Sequence, residues 1–229
     1  MDKLGAIGEI CAVDDVTDLS AGGKAYGLAR LRAMQLAVPP AFVLRNADAH
    51  TQPEDLEQHY LELGAGKVAV RSSALGEDGG DASFAGQYDT VLDVEGMPAL
   101  RAAIAQCVHS AANERAERYR ADQEDTGANT MNIVVQRMVD ARAAGVVFTA
   151  DPVSARRDLL VVDAVSGLGE ALVSGEATPD HYAVHASGEI LRREHAGEVA
   201  VLSDTEIAAI AAQARTAATH EQQPLDLEW

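Results

Sequence analysis

Two cations in separate segments have surroundings suited to holding an anion. Lys24 follows Gly22 and Gly23 and opens an apolar stripe with helical spacing, so it lies at a predicted helix N-terminus. The macrodipole and the free amides of a helix N-terminus favour negative charge. Arg71 follows the apolar run 68–70, which predicts an internal strand with the arginine at its carboxyl end. A guanidinium there presents a planar fork of donors to a phosphate or carboxylate.

The segment after Arg71 is rich in small residues that let backbone amides approach an anion closely. Residues 72–86 include four glycines and three serines, which are Gly76, Gly79, Gly80, Gly86, Ser72, Ser73 and Ser83. Phosphate is the anion that such a loop suits best. A surface loop beside a solvated Arg71, with Lys24 equally solvated, is the alternative, and these segments alone leave both interpretations open.

Two common nucleotide motifs are absent. A Walker A loop that included Lys24 would need glycine at position 18 and a hydroxyl residue after the lysine, but the chain has Asp18 and Ala25 there. The glycine turn at 166–170 resembles a dinucleotide fingerprint, yet its third glycine position holds Leu172. Any phosphate binding must therefore use another arrangement.

Composition limits the partners. The 229 residues are 47% hydrophobic and 24% charged, which is enough for one sizeable domain or two small lobes. Eighteen basic and 36 acidic residues give a formal charge of −18, so we expect neither nucleic acid nor a membrane surface as a partner. Cys11 and Cys107 have no metal-ligand spacing, and no secretory signal or apolar run of membrane-spanning length is present, which favours the cytoplasm.

Periodicity predicts alternating strands and helices. Predicted strands are 41–44, 68–70, 88–94, 133–135, 145–149, 159–165, 182–184, 190–193 and a last one at 225–229. The first predicted helix begins at Lys24 and carries the apolar stripe 25–34. The others are 52–63, 97–120, 170–174 and 203–219, of which 52–63 and 203–219 have capping boxes at Thr51/Glu54 and Ser203/Glu206. The polar segment 122–130 predicts a linker. We therefore expect an α/β (α+β) fold in two lobes, 1–132 and 133–229.

Nine segments, in order and along nearly the whole chain, resemble one family. They are GGKA at 22–25, VPPAF at 38–42, VRSSA at 70–74, ED at 77–78, ASFAGQ at 82–87, VVQRMV at 134–139, GVVFTADP at 145–152, GLGE to glycine at 167–175, and DLEW at 226–229. Together they resemble the nucleotide-binding domain of phosphoenolpyruvate synthase, pyruvate phosphate dikinase and rifampin phosphotransferase. The resemblance implies an ATP-grasp fold with the nucleotide in a cleft between the two lobes.

The resemblance also implies how the first lobe holds ATP. Lys24 and Arg71 would contact the nucleotide phosphates and act as the catalytic cations. Ser83, Gly86 and Thr90 would belong to the loop that closes over those phosphates. Such a loop can exclude water from the transferring group.

The second lobe is implied to supply the adenine and metal contacts. Gln136 and Met138 would lie on the strand that reads the adenine edge, and Glu228, with Asp226, would hold Mg²⁺. Because phosphoryl transfer needs positioning and charge neutralisation, a divalent ion would offset the acidic field of this chain. ATP and Mg²⁺ are the expected cofactors.

The family's reaction gives an expected activity. A dikinase-type phosphotransferase converts ATP to AMP and passes a phosphoryl group through a histidine on a swivelling domain to an acceptor. No histidine here has the surroundings of that phosphohistidine, so we expect it beyond residue 229 or on a separate partner. The chain also ends before a strand that carries another metal-binding residue in relatives, which predicts a truncated and incomplete site.

Two other functions stay open from the sequence. One is a catalytically inert nucleotide-binding or nucleotide-sensing module that kept the fold. The other is a stand-alone kinase that acts directly on a small amine or hydroxyl acceptor, although no acceptor pocket can be named. Conversion of ATP to AMP distinguishes the donor domain from the inert module.

Overall fold

Two five-stranded antiparallel sheets organise the protein. The computed structural model describes residues 8–48, 50–74, 90–122 and 130–229, and the chain divides into two units, Met1–Val139 and Asp140–Trp229. Each described sheet lies within one unit. The mixed α/β class predicted from periodicity is confirmed.

The first unit builds its sheet from strands distant in sequence. Its strands are β1 (Glu9–Ala12), β2 (Ala41–Ala47), β3 (Val68–Ser73), β4 (Thr90–Val94) and β5 (Met131–Arg137). Its helices are α1 (Gly23–Ala33), α2 (Leu56–Glu62) and α3 (Met97–Asp122). The strand order is β1-β2-β5-β3-β4, with every neighbouring pair antiparallel.

Helices cover both faces of this sheet, which explains the unbroken apolar runs in its central strands. One face packs with α2 and α3 in a buried cluster that includes Val70, Leu100 and Ile133. The other face contributes Val43 and Val134 to a second cluster with α1. Alternate residues of β2 and β5 therefore enter different cores.

The boundary between the units differs from the one expected after Asn132. Strand β5 pairs with β2 on one side and β3 on the other, so it is a central strand of the first unit. The polar segment suggested a boundary because it separates α3 from β5 in sequence, although most of it, 123–129, lies outside the described residues. Assignment of the two units to ATP-grasp lobes stays a prediction.

In the second unit four consecutive strands form a meander, and the last strand of the chain pairs with the first of them. Its strands are β6 (Ala143–Phe148), β7 (Leu159–Ser166), β8 (Asp180–His185), β9 (Ile190–Glu194) and β10 (Asp226–Glu228). Its helices are α4 (Glu170–Val173) and α5 (Asp204–Glu221), and its strand order is β10-β6-β7-β8-β9. Val147, Val162 and Tyr182 pack from the sheet against Ile207 and Ala211 of α5.

The two predicted capping boxes have different outcomes. Ser203 Oγ accepts from the Glu206 amide and the Glu206 carboxylate accepts from the Ser203 amide, so the box that begins α5 is confirmed. The box at Thr51/Glu54 is wrong, because Thr51 Oγ1 instead forms hydrogen bonds with Asp48. Helix α2 consequently begins at Leu56, later than expected, without a side-chain cap.

None of the helices in the described ranges has the length and apolar character needed to cross a bilayer. The longest, α3, packs into the core of the first unit through residues such as Leu100 and Ile104.

Candidate nucleotide-binding site

The N-terminus of α1 is held directly against the end of β3. The Gly23 amide donates to Ala74 O at 2.9 Å, and the buried Ala25 amide donates to Ser73 Oγ at 3.1 Å. Gly22 has φ of +88°, and a Cβ there would lie 2.1 Å from Ser73 O. The glycine is thus required both by its backbone conformation and by this close approach. The segment that carries Lys24 is fixed beside the strand that carries Arg71.

This contact corrects one expectation about Lys24. The residue does lie at the N-terminus of a helix, but two neighbouring amides expected to be free are bonded to β3 and the residue after it. Ser73 Oγ acts as an N-terminal cap supplied by a different element. An anion at Lys24 would therefore depend more on the ammonium than on open helix amides.

Arg71 lies inside β3 and is not at its carboxyl end. It pairs with Val134 of β5 on one side and Thr90 of β4 on the other. Directly opposed residues of antiparallel strands share a face. Since Val134 packs with α1, the half-buried Arg71 lies on the face of the sheet that α1 covers. Sequence reasoning ended the strand early because Ser72 and Ser73 interrupt its apolar run.

Thr90 and Gln136 occupy the same face. Thr90 is the exposed first residue of β4 and is paired with Arg71. Gln136 pairs with Ala41 and Ala69, and its side-chain amide donates to Pro39 O at 3.4 Å. The structure thus brings Arg71, Thr90 and Gln136 to one face, which is the face that packs against the helix of Lys24.

Met138 follows β5, and both its backbone amide and its side-chain sulfur already form hydrogen bonds. Its amide donates to Lys67 O at 2.9 Å, and its sulfur accepts from the Asp93 amide at 3.0 Å. The amide of Arg137 donates to Pro40 O. A base edge in this region would have to be recognised by groups other than these two amides.

Ser83 and Gly86, with the remainder of the predicted phosphate loop at 75–89, lie outside the described residues. Their roles, like those of the other expected site residues, stay predictions.

The two candidate metal-binding carboxylates project from one face of the terminal strand. Asp226 and Glu228 alternate with Leu227 on β10, which pairs with β6. Leu227 packs into the core with α5, so Asp226 and Glu228 lie on the opposite face, where both are exposed.

Trp229 strengthens the attachment of this strand. Its amide and carbonyl both exchange hydrogen bonds with Gly145 of β6 at 3.0 Å. A Cβ at Gly145 would lie 1.9 Å from Asp163 O and 2.7 Å from the Trp229 ring, so only glycine fits between them. The tryptophan ring packs on Gly145, and this contact fixes the position of the neighbouring Glu228.

His181 forms a side-chain pair with a carboxylate of the neighbouring strand. His181 Nδ1 lies 2.7 Å from Asp163 Oδ1 across β7 and β8, and both side chains are partly buried. Asp163 and Glu228 each pair with Val146, so Asp163 lies on the face of the sheet that presents the terminal carboxylates. Sequence spacing misses the pair because its members lie on different strands.

The donor chemistry at β10 fits magnesium in part. Carboxylate oxygens suit Mg²⁺, which usually takes one or two of them and completes its shell with waters and phosphate oxygens. Nowhere in the described ranges do three or more acidic, histidine or cysteine side chains cluster as a metal site. Asp226 and Glu228 would therefore hold a metal together with a ligand rather than alone.

Asp180 is a buried carboxyl of the second unit with a perturbed pKa and a structural role. It accepts from the Ala196 and Val201 amides and the Tyr182 hydroxyl, each at 2.8 Å, and lies 3.1 Å from His195 Nδ1. Burial raises the pKa of this carboxyl, but these hydrogen bonds outweigh it and lower the pKa to about 2. Burial and the bond to Asp180 raise the pKa of Tyr182 to about 12.

Comparison with known proteins identifies the family of this chain. The family described as "Pyruvate phosphate dikinase, AMP/ATP-binding domain" matches residues 50–202. The chain belongs to this family of ATP-binding domains, as the nine sequence segments predicted.

Individual relatives have different functions. A rifampicin phosphotransferase from a Streptomyces species is 40% identical over an alignment of 185 residues, and the alignment covers 70% of this chain and 21% of the relative. A probable phosphoenolpyruvate synthase from Pyrococcus abyssi is 36% identical over an alignment of 213 residues, which covers 77% of this chain and 26% of the relative. A prodigiosin-synthesizing transferase from Serratia marcescens is 38% identical over an alignment of 207 residues, which covers 76% of this chain and 23% of the relative. The chain spans about a quarter of the length of these relatives.

Proposed function

We propose that this chain is the ATP-binding, phosphoryl-donating part of a dikinase-type phosphotransferase. Membership of the AMP/ATP-binding family supports ATP as the ligand. The docking of the Gly22–Gly23–Lys24 segment on β3, beside Arg71, is the observation that carries the assignment. The phosphoryl group would pass to a histidine on another domain or partner and then to an acceptor.

In this proposal the residues of the chain bind, orient and neutralise. Lys24 offers a point charge and Arg71 a two-donor fork to the phosphates, while Ser83 and Gly86 belong to the loop over them. Thr90, expected in that loop, instead begins β4, where it would face the phosphates beside Arg71. Bound Mg²⁺, held by Glu228 and Asp226, would neutralise charge on the phosphate oxygens.

The remaining parts of the proposal follow the family. Gln136 and Met138 would lie beside the adenine, and the ATP-grasp assignment belongs to the same proposal. We place the activity in the cytoplasm, where a reducing environment is consistent with Cys11 and Cys107 as thiols that form no disulfide.

Thermal unfolding with Mg²⁺·ATP tests the phosphate contacts. A ligand selective for the folded state raises the melting temperature by mass action. We expect the rise in the parent chain and its loss in Lys24→Ala and Arg71→Ala. Arg101→Ala is the matched control, because it removes the same charge from α3, where Arg101 bonds to Gln52. A full rise in both site variants would refute the assigned roles.

A second measurement separates the donor from an inert nucleotide-binding module. The chain is incubated with Mg²⁺·ATP alone and with the phosphohistidine domain of a relative, and AMP is quantified by chromatography. AMP that forms with the added domain, and falls in Glu228→Gln but not in the exposed control Glu189→Gln, supports phosphoryl donation. Binding without AMP under both conditions supports the sensing module instead.

A further inference from the structure

Most arginines of the second unit form ion pairs with carboxylates. Residues 140–229 contain six arginines, no lysine and fifteen acidic residues. Four of the arginines pair with carboxylates, in the pairs Arg142–Glu206, Arg156–Asp158, Arg192–Glu194 and Arg193–Asp204. Within the described ranges, neither of the other two, Arg157 and Arg215, has a carboxylate partner.

Both of these arginines line one cavity of about 270 Å³. Its wall contains no acidic residue, although acidic residues outnumber basic ones two to one in the whole chain. The other polar side chains of the wall are Thr149, Thr219, Gln222 and Gln223, and the rest are apolar. Like the guanidinium groups, the Thr219 hydroxyl and the side-chain amides of Gln222 and Gln223 can donate hydrogen bonds to an oxyanion, whereas the Thr149 hydroxyl already donates to Leu225 O.

Local contacts explain why the two guanidinium groups remain without carboxylates. Asp158 is adjacent to Arg157 in sequence, but its two carboxylate oxygens accept from Nε and Nη2 of Arg156. Arg215 is oriented by a neutral acceptor, since its Nη1 donates to His185 O at 3.1 Å. The side chain of Glu221, in the last turn of α5, is only 4% exposed and is not part of the wall. Charge on the two arginines is therefore available to a ligand.

The cavity is distinct from the candidate metal-binding carboxylates of the same unit. Leu160 of its wall packs into the core beneath α5, and Arg215 is on α5 itself. Asp226 and Glu228 lie on the opposite face of the same sheet. A volume of about 270 Å³ is just below the range of most ligand pockets, about 300–1,000 Å³, and suits a small metabolite rather than a nucleotide.

We propose that this cavity, lined by Arg157 and Arg215, is a binding site for a small metabolite that carries an oxyanion, either a phosphate or a carboxylate. The apolar part of the wall would pack on the carbon skeleton, and the two guanidinium groups would hold the oxyanion by paired, charge-assisted hydrogen bonds. The site is independent of the proposed ATP contacts.

Titration with simple anions tests the site. Inorganic phosphate and malonate are titrated separately into the full chain at constant ionic strength, and heat of binding and melting temperature are measured. We expect binding in the parent chain and at least a tenfold weaker affinity in Arg157→Gln and Arg215→Gln. The matched control Arg156→Gln changes a neighbouring, carboxylate-paired arginine and should bind normally. The anion bound more tightly identifies the chemical group.

A site-resolved measurement guards against poor folding of Arg215→Gln, which loses the bond to His185. Phenylglyoxal labelling of the parent chain is followed by peptide mass spectrometry. Phosphate or malonate should slow labelling of Arg157 and Arg215 but not of Arg101. If Arg215→Gln does not fold, the titration of Arg157→Gln alone tests whether the arginines bind the anion. The proposal is overturned if neither anion binds the parent chain, if Arg157→Gln binds normally, or if labelling is not protected. Loss of ATP binding in Lys24→Ala would leave this result unchanged.

Discussion

Ser72 and Ser73 are adjacent in β3, but their side chains enter different environments. Both residues are buried. Ser73 Oγ accepts from the Ala25 amide at the start of α1, whereas Ser72 Oγ has no hydrogen-bond partner among the described residues. Adjacent strand residues point to opposite faces, so the pair gives an internal comparison between a satisfied and an unsatisfied hydroxyl.

Ser73→Ala should destabilise the protein by about 1–3 kcal/mol, because it leaves a buried amide without an acceptor. It should also weaken Mg²⁺·ATP binding if Lys24 contacts the phosphates, because the amide bond that docks its helix is lost. Urea unfolding and ATP titration measure both effects.

Ser72→Ala is the control for this experiment. It removes a buried hydroxyl without a described partner, so stability should be unchanged or increased. Equal destabilisation by the two substitutions would contradict the role assigned to Ser73.

At the scale of elements, Asp180 joins the start of β8 to the segment before α5. Its carboxylate is bonded to the amides of Ala196 and Val201 and to Tyr182 of the same strand. Hydrogen bonds to a buried carboxylate contribute more than neutral ones, about 1.5–3 kcal/mol each. This single side chain therefore orders the approach to α5.

The pKa of Asp180 predicts a stability change in acid. Its folded-state pKa of about 2 is below the usual unfolded value of about 3.9. The ionised carboxylate therefore contributes fully to the free energy of unfolding above about pH 4, and this contribution is lost as the pH falls towards about 2. Asp180→Asn should lower stability by about 2–3 kcal/mol at neutral pH and flatten the loss between about pH 4 and pH 2. Urea unfolding across that pH range measures the difference.

Glu206 contributes to the same acidic limb, because bonds from Ser203 and Arg142 lower its pKa to about 2. The loss of stability with falling pH should therefore be less steep in Asp180→Asn than in the parent chain, but it should not disappear. A slope identical to that of the parent chain would contradict the importance of Asp180.

Most elements were predictable because their signals are local. The apolar runs of β3, β5 and β7 and the Ser203/Glu206 box each lie within a few residues. The Thr51/Glu54 box failed because Asp48, just upstream, competed for the threonine hydroxyl. The cap at Ala25 could not be predicted, because its acceptor Ser73 is distant in sequence. The cavity with Arg157 and Arg215 depends on the same kind of non-local contact.

At the scale of the whole molecule, each unit has a core of its own. Every residue of the cluster beneath α5 belongs to 140–229, and both clusters of the other unit belong to 1–139. The second unit is mainly a meander of consecutive strands, so its contacts form over short separations.

Fragments should reflect this division. The fragment 140–229 should unfold cooperatively on heating, and so should 1–139, because each retains its sheet and core. The fragment 1–130 should not, since it lacks β5 and leaves β2 and β3 without their shared neighbour. Circular dichroism during heating measures all three, and cooperative unfolding of 1–130 would contradict the central place of β5.

The position of β5 also matters while the chain is being made. Strands β2 and β3 leave the ribosome long before β5, yet each needs β5 to pair its inner edge. Until synthesis passes Arg137, the nascent chain exposes two apolar strand edges that invite pairing with other chains. We therefore expect chaperones to engage this polypeptide mainly before that point and to release it once the central strand has inserted.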